Sequence, residues 1–501
     1  MLHGLFSKSG SHQYMAMSRN SDFEFALEDD NRSKLFESAE QEAESIAASG
    51  TKNSIALTIA ELEDGEYNKQ YRTCSWLHTA GLMLSEYIVL AIMSFPWSYS
   101  VLGLVPGLIL TVFVASTVLY TGLIIAEFCE KYPHLQNVCD IGQFLLGGYK
   151  WAWYATAVCF LLNNLLIQGL HVLVGAKYLN TITNHSICTV GFSGIVAGIS
   201  LVFSLPRTFS SLSFMGYFAA ATMFIAVLLS MIFAGVQSHP YQYDGTPVVF
   251  RAFPAEGTTF VSGMGAFLNI VYSFVGQVTY PQFIAEMRNP KDFKKVLWIV
   301  TTCEVIIFGL AGSIIYVYVG DKYMTAPAFG SLQRAFKIIA FSFAVPTIVY
   351  AGALYANVTA KFVLFSLVDR QQKYRFSRSL TSWLIWVGIL SLSWAVAFVI
   401  AEVIPFFSDL LSLMSSLFDC WFGFVFWGIA YIRLRKRKYG ADYSFGRLTL
   451  VEKLNYVVSI GLIGMGVYIL GPGLYASVQS IILSYQADLY GTVFSCASNG
   501  I

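Results

Sequence analysis

The sequence has few charged residues: Asp, Glu, Lys and Arg make up 12% of its 501 residues, whereas 56% are hydrophobic. Soluble domains carry about 25% charged residues, so a soluble protein of this composition could not cover its own surface. The mean hydropathy is +0.59 and the net charge is only +1, which indicates no nucleic-acid partner. The scarcity of charge therefore excludes an ordinary soluble protein and favours one that lies in a lipid bilayer.

Several motifs are also absent. The eight cysteines contain no CxxC pair and no metal-ligand spacing, so no metal site is expected. No HExxH, nucleophile-elbow or paired-aspartate motif is present, so an enzyme is not expected. The first 20 residues lack the apolar segment of a cleavable signal peptide. The first hydrophobic span is therefore expected to act as the insertion signal.

Apolar stretches recur from Trp76 onward, with the length of about 20 residues that crosses about 30 Å of hydrocarbon. Backbone polar groups must be satisfied within lipid, so these stretches are expected to be helices. We predict an all-α membrane protein with 11 transmembrane helices. The predicted spans are 76–100, 104–127, 151–175, 186–205, 212–235, 259–284, 296–319, 334–366, 381–402, 404–431 and 454–480.

The two ends of the chain differ in composition from its middle. Residues 1–72 are Ser-rich and acidic with few aromatics, which is typical of a disordered tail. Residues 73–482 form the predicted transmembrane domain, and residues 483–501 a short tail after the last span.

Basic residues are unevenly distributed between the predicted loops. Eighteen Lys and Arg residues fall on one side of the membrane and three on the other. Because cytoplasmic loops carry the excess of basic residues, the N-terminus is expected in the cytoplasm and the C-terminus outside or in a lumen. Asn184, in the sequon Asn184-His185-Ser186 of an outward loop, is a candidate glycosylation site. Cys188 and Cys496 fall on the same outer side, where they could form a disulfide or remain unpaired.

The first and sixth spans share a pattern that predicts a break in each helix. Pro96 and Pro281 each follow an aromatic residue about 20 residues into a span. Each proline removes the hydrogen-bond partner of the carbonyl four residues earlier, at Ile92 and Gln277. Spans five apart that run in opposite directions indicate a five-plus-five inverted repeat, with substrate bound at the breaks. The alternative is that each proline only kinks its helix.

Ionisable residues at membrane depth are hypotheses of function. Glu86 lies about ten residues into the first span, where it could carry a proton, face a substrate ammonium or be a buried structural carboxyl. Lys361, near the cytoplasmic end of span 8, is a candidate for a coupling role or for snorkelling to the interface. Asn164, Gln168 and His171 share one helical face, which could line a polar path or join neighbouring helices.

These motifs resemble the amino acid/auxin permease family, especially its fungal neutral amino acid permeases. The segment from Glu86 to Pro96 is similar to that branch's first-span pattern, Ala/Gly-Glu-x-x-x-Leu-Gly-Ile-Leu-Ser-Leu-Pro, although Ala91 stands where the branch often has glycine. Further similar segments are 272–281, 286–293 and 351–361, and the resemblance covers residues 70–480.

The resemblance implies a LeuT-like fold and uptake of neutral amino acids coupled to protons, without a bound cofactor; sodium remains the alternative coupling ion. It also implies that the unwound parts of spans 1 and 6 hold the substrate. The expected substrate-binding residues are Tyr87, Ile88, Val89, Leu90, Ala91, Asn164, Tyr272, Ser273, Phe274, Gly276, Gln277 and Tyr280. Glu86 and Lys361 are the expected proton-coupling residues, and the expected partners are a neutral amino acid and the lipid bilayer.

Other functions remain open. The long acidic tail would suit an amino acid sensor with a transporter fold, and export from a vacuole is an alternative to uptake. We expect the plasma membrane, with the vacuolar or lysosomal membrane as the alternative, because both place the basic loops in the cytosol.

Overall fold

The computed structural model describes residues 74–133, 135, 137–207, 209–368, 379–440, 443–488 and 492–501. The predicted tail 1–72 lies outside the described residues. Within these ranges the chain is helical and contains no strand. The α-helices are α1 (Trp76–Tyr87), α2 (Phe95–Leu102), α3 (Leu104–Lys131), α4 (Val138–Leu145), α5 (Lys150–Thr183), α6 (Thr189–Ser204), α7 (Phe209–Val236), α8 (Phe260–Phe274), α9 (Tyr280–Glu286), α10 (Phe293–Val319), α11 (Arg334–Phe362), α12 (Leu380–Val403), α13 (Phe407–Met414), α14 (Phe426–Tyr439), α15 (Leu450–Tyr468) and α16 (Leu474–Gln486).

Short segments of other helical types interrupt or extend these helices. A 3₁₀ segment, Leu90–Ser94, precedes α2, and a π-helical segment, Val363–Val368, extends α11. Two further π-helical segments, Ser415–Val425 and Ile469–Gly473, join α13 to α14 and α15 to α16. Those two pairs are therefore continuous.

The helices confirm an all-α membrane protein. Among the described residues, eight helical stretches are long and apolar enough to cross a membrane, and α1 together with Leu90–Leu102 forms a ninth span that is bent by 45°. Two shorter apolar helices, α6 and α8, lie where the sequence predicts the fourth and sixth spans. The total of eleven spans stays a prediction. In the predicted numbering, spans 1 to 11 are α1–α2, α3, α5, α6, α7, α8–α9, α10, α11, α12, α13–α14 and α15–α16.

The packing of the first ten spans has the symmetry of a five-plus-five repeat. Spans 1 and 6, 2 and 7, 3 and 8, and 4 and 9 contact each other. Span 1 packs on span 5 as span 6 packs on span 10, and span 4 packs on span 8 as span 9 packs on span 3. Exchange of the two halves therefore preserves these contacts, as a repeated unit requires.

The loop between α7 and α8 caps the start of α3. Gly103 has φ +79°, and a Cβ there would lie 2.5 Å from the backbone of Phe253. The amides of Leu104 and Val105, which have no acceptor within their own helix, donate to backbone carbonyls of this loop at 3.0 Å. Glycine at 103 allows this close approach of two backbones.

An ion pair holds the same loop against the end of α10. Lys322 donates to the carboxylate of Asp244, and Tyr323 donates to it at 2.6 Å. Because these donors favour the ionised form, they hold the pKa of Asp244 below its ordinary value.

The C-terminal residues 492–501 pack on α5 and α6. Cys496 forms a disulfide with Cys188, at the start of α6. The sequence left open whether these two cysteines are paired or free, and the structure has them paired. Asn180 donates to the side chain of Asn499 at 2.7 Å, and Lys177 donates to the Asn499 carbonyl at 3.2 Å. These bonds join the end of the chain to the third and fourth spans.

Candidate functional site

The first span breaks directly after Tyr87. The amide of Val89 donates to the carbonyl of Tyr87 at 2.9 Å, which forms a tight three-residue turn centred on Ile88. Val89 is extended, with φ −125° and ψ 179°, and the 3₁₀ segment begins at the next residue. Both residues at the break are β-branched, and such residues favour extended backbone over helix. The break therefore forms without a glycine.

This position corrects part of the sequence interpretation. Pro96 was expected to leave the carbonyl of Ile92 without a partner. Instead, that carbonyl accepts a hydrogen bond from the amide of Phe95 because the preceding segment is a 3₁₀ helix. Pro96 lies in the first turn of α2, where proline is well tolerated. The proline therefore marks the start of the second half-helix, and the break lies earlier.

The sixth span breaks between Phe274 and Tyr280. Val275 is extended, with φ −84° and ψ 106°. The carbonyl of Gly276 then accepts hydrogen bonds from the amide and the hydroxyl of Thr279, at 3.1 and 2.9 Å. Pro281 lies in the first turn of α9. Each break therefore separates one helical C-terminus from the N-terminus of the helix that follows.

Side-chain hydrogen bonds join the two breaks. The hydroxyls of Tyr87 and Tyr280 lie 2.7 Å apart, and Thr279 donates to the carboxylate of Glu86 at 3.2 Å. The Tyr87 ring lies directly against Gly276, where a Cβ would be 2.2 Å from its hydroxyl oxygen. Only glycine at 276 leaves space for this ring.

A cavity of about 70 Å³ lies between the breaks. Most of the predicted site residues line it. They are Glu86, Tyr87, Val89, Leu90, Ala91, Tyr272, Ser273 and Gly276. Spans 3, 8 and 10 complete the wall with residues that include Asn163, His171, Tyr355 and Asp419. The structure thus brings one carboxyl from the first span and one from the tenth to a single small cavity.

Other predicted residues lie behind this wall. Phe274 packs on Phe95 and Phe308 in an aromatic cluster, and Gln277 donates to the hydroxyl of Thr121 at 3.0 Å. Asn164 is buried in α5. Ile88 lies at the turn itself, and Tyr280 reaches the site through its hydroxyl contact with Tyr87. These residues can position the cavity wall, but they do not form it.

Lys361 and Asn184 lie elsewhere. Lys361 is in the last turn of α11, outside the wall of this cavity. Asn184 is exposed and ends α5 in a left-handed conformation with φ +54°. It lines a separate cavity of about 710 Å³, whose wall also includes Trp97, Lys337 and the C-terminal residues 498, 500 and 501.

Sequence reasoning did not assign Asp419 to the site, although this residue lines the cavity. It is 6% exposed and belongs to the π-helical segment Ser415–Val425. A carboxyl in the middle of a predicted span was a usable signal. However, no pattern in the sequence indicates that span 10 reaches the breaks of spans 1 and 6. His171, for which a polar path and a structural role were both considered, also lies on this wall.

The chain is similar in sequence to known amino acid transport proteins. A family model described as transmembrane amino acid transporter protein matches residues 72–471. The N amino acid transport system protein of Neurospora crassa is 29% identical over 439 residues, which are 87% of this chain and 91% of that protein. The amino acid transporter AVT1H of Arabidopsis thaliana is 25% identical over 357 residues, 68% of this chain and 78% of that protein. The solved structure of MhsT in complex with L-phenylalanine aligns with a TM-score of 0.46 and 12% identity, over 83% of this chain and 99% of that chain.

Proposed function

Since the chain belongs to the transmembrane amino acid transporter family, in which sequence reasoning placed it, and is a transporter rather than an enzyme, we propose that it carries neutral amino acids in symport with protons. One observation carries the proposal: a small cavity lies between two broken spans and has Glu86 in its wall. Broken helices offer unpaired backbone amides and carbonyls near the middle of the membrane. Such a site suits a solute with one positive and one negative end.

The breaks supply complementary polarity for these two ends. The first amides of a helix have no acceptor within that helix, so the amides of Leu90 and Ala91, at the start of the 3₁₀ segment, bind the substrate carboxylate. The C-terminal ends of α1 and α8 carry the negative ends of their helix dipoles. They bind the substrate ammonium together with Glu86. No lysine or arginine side chain lines this cavity among the described residues, which favours neutral over acidic substrates.

Glu86 is the proposed proton carrier. Its carboxyl lies on the cavity wall, and Thr279 on the opposite break donates to it. Protonation of this carboxyl removes its charge and weakens the hydrogen bond that it accepts from Thr279, whereas its neutral form can still accept a hydrogen bond from the substrate ammonium. The proton and the substrate can therefore occupy the site together, as symport requires, and proton binding is coupled to the contact between the two breaks.

The Glu86→Gln variant tests this role in proteoliposomes with radiolabelled amino acid and with proton and sodium gradients imposed separately. The glutamine carbonyl can still accept from Thr279, but it cannot carry a proton. We expect the variant to lose proton-driven accumulation and the pH dependence of uptake. Glu402→Gln is the matched control, because Glu402 is a buried carboxyl in α12 that does not line the cavity. A Glu86→Gln variant with the wild-type rate and pH dependence of uptake would refute this role. Accumulation driven by a sodium gradient alone would identify sodium, and not the proton, as the coupling ion.

We further propose that the protein lies in the plasma membrane with its N-terminus in the cytoplasm. The excess of basic residues in one set of loops supports this orientation. The disulfide between Cys188 and Cys496 supports it too, because disulfides persist in oxidising compartments outside the cytosol. In intact cells, a membrane-impermeant reagent should label a tag inserted beside Asn184. Labelling only after permeabilisation, in a vacuolar fraction, would instead indicate the vacuolar membrane.

A further inference from the structure

Two residues of the cavity wall have polar atoms that take no part in the proposed binding of the proton or of the charged ends of the substrate. His171 on α5 and Asp419 in span 10 both line the cavity, and they are 5% and 6% exposed. Among the described residues, His171 Nε2 and Asp419 Oδ2 have no hydrogen-bond partner. Buried polar atoms are normally paired, so two unpaired atoms beside one small cavity need an explanation.

The backbone determines which nitrogen of His171 can accept a hydrogen bond. His171 Nδ1 lies 2.8 Å from the carbonyl of Ile167, one turn earlier in the same helix. A carbonyl can only accept, so Nδ1 carries the proton and donates. In the neutral ring the other nitrogen, Nε2, then has a free lone pair and acts as an acceptor.

Asp419 adds acceptor capacity to the same wall. Its carboxyl group has at least one oxygen that accepts hydrogen bonds, whether or not the group is protonated. A substrate side chain that carries an O–H or N–H group can pair with these acceptors. A side chain of hydrocarbon leaves them buried and unpaired, which is costly in a site closed to water.

The cavity also limits the size of the substrate. A volume of about 70 Å³ accommodates about five to seven water-sized groups, since one water needs about 10–15 Å³ on this measure. That is the scale of a small amino acid. Tyr272, Tyr355 and Phe422 leave little space for a large ring.

We propose that the side-chain end of the substrate binds at His171 and Asp419, so that the transporter prefers small neutral amino acids whose side chains donate a hydrogen bond. Serine is the expected favourite. Alanine, which is similar in size but lacks the donor, is the expected poor substrate. This inference rests on the proposed function, because the backbone of the breaks must first hold the charged ends of the substrate.

The test compares uptake of radiolabelled serine and alanine by the purified protein in proteoliposomes. The wild-type ratio of kcat/KM for serine over alanine should be at least about 10, because a site that pairs a substrate hydroxyl rejects the analogue without it. His171→Leu and Asp419→Leu should each lower this ratio, and the double variant should bring it to within about twofold of 1. Asp409→Asn is the matched control, because Asp409 lies in the same span but accepts from Ser480 and Ser484 away from this cavity.

The outcomes separate this inference from the proposed function. If the wild-type protein takes up serine and alanine equally well, the inference fails and the transporter assignment survives. If it takes up no amino acid, the proposed function fails. His171→Gln and Asp419→Asn keep the size and polarity of the wall, and they replace the leucine variants if those do not fold. An unchanged ratio in every folded variant would overturn the assignment of these two residues.

Discussion

Replacement of Gly276 by alanine would place a methyl group where the ring of Tyr87 already lies. The added Cβ would be 2.2 Å from the hydroxyl oxygen of Tyr87 and 2.7 Å from the ring carbon that bears it. Heavy atoms in favourable contact are about 3.5–4.0 Å apart. The Tyr87 ring must therefore move by about 1 Å or more, or the break at Gly276 must move away from it.

Either movement breaks the hydrogen bond between Tyr87 and Tyr280, whose hydroxyl oxygens lie 2.7 Å apart. A separation increased by 1 Å exceeds the range of an O–H···O bond. Loss of a buried hydrogen bond that leaves its partner unsatisfied costs about 1–3 kcal/mol. If this cost falls on the geometry that binds substrate, kcat/KM decreases by about 5- to 150-fold.

Transport in proteoliposomes measures this decrease, with Gly265→Ala as the control. Gly265 lies in α8, the same helix that ends at the break, and a Cβ there would meet nothing within 4 Å. The control should retain wild-type kcat/KM. In a Tyr87→Phe background, which removes the closest contact atom, Gly276→Ala should cost less than in the wild type. Equal kcat/KM for Gly276→Ala and wild type would refute the reasoning.

Two further predictions concern stability. Cys188→Ser removes the disulfide and should reduce the free energy of unfolding by about 2–4 kcal/mol, measured by thermal unfolding in detergent; Cys159→Ser, a free cysteine, should have little effect. Arg435→Met removes the cation that binds Glu127 and Glu452 and should cost about 1–3 kcal/mol, because both carboxylates lose a charged donor while Glu452 keeps Lys438 at 2.7 Å. A melting temperature equal to that of the wild type in either Cys188→Ser or Arg435→Met would contradict the corresponding prediction.

The sequence predicted the correct pair of broken spans but not where the first one bends. An aromatic residue followed by proline identified both spans, and each proline begins a second half-helix. The bend itself depends on Ile88, at the centre of the tight turn, and on Val89, which is extended. Several β-branched residues of the first span could have taken that conformation in isolation, so only tertiary contacts select one of them.

The cavity wall was harder to predict than the breaks. Nearness to a break in sequence does not determine which way a side chain points: Ser273 lines the cavity, whereas the adjacent Phe274 packs on Phe95 and Phe308. Asp419 comes from a span far away in sequence, and its π-helical segment changes the face that a regular helix would present. Such placements follow from the packing of whole spans, which one sequence does not specify.

The half-helices α1 and α9 are joined at both of their ends. At one end, the amide of Cys74 donates to the carbonyl of Glu286 at 3.1 Å, and the amide of Arg288 donates to the carbonyl of Cys74 at 2.9 Å. At the other end, Tyr87 meets Tyr280. Because these two antiparallel half-helices are bonded to each other at both ends, we expect them to move as one unit during transport. Neither half-helix then opens a path to the membrane surface without the other. A crosslink between α1 and α9 should therefore be tolerated throughout the transport cycle, whereas a crosslink from either of them to a helix outside this pair should stop it.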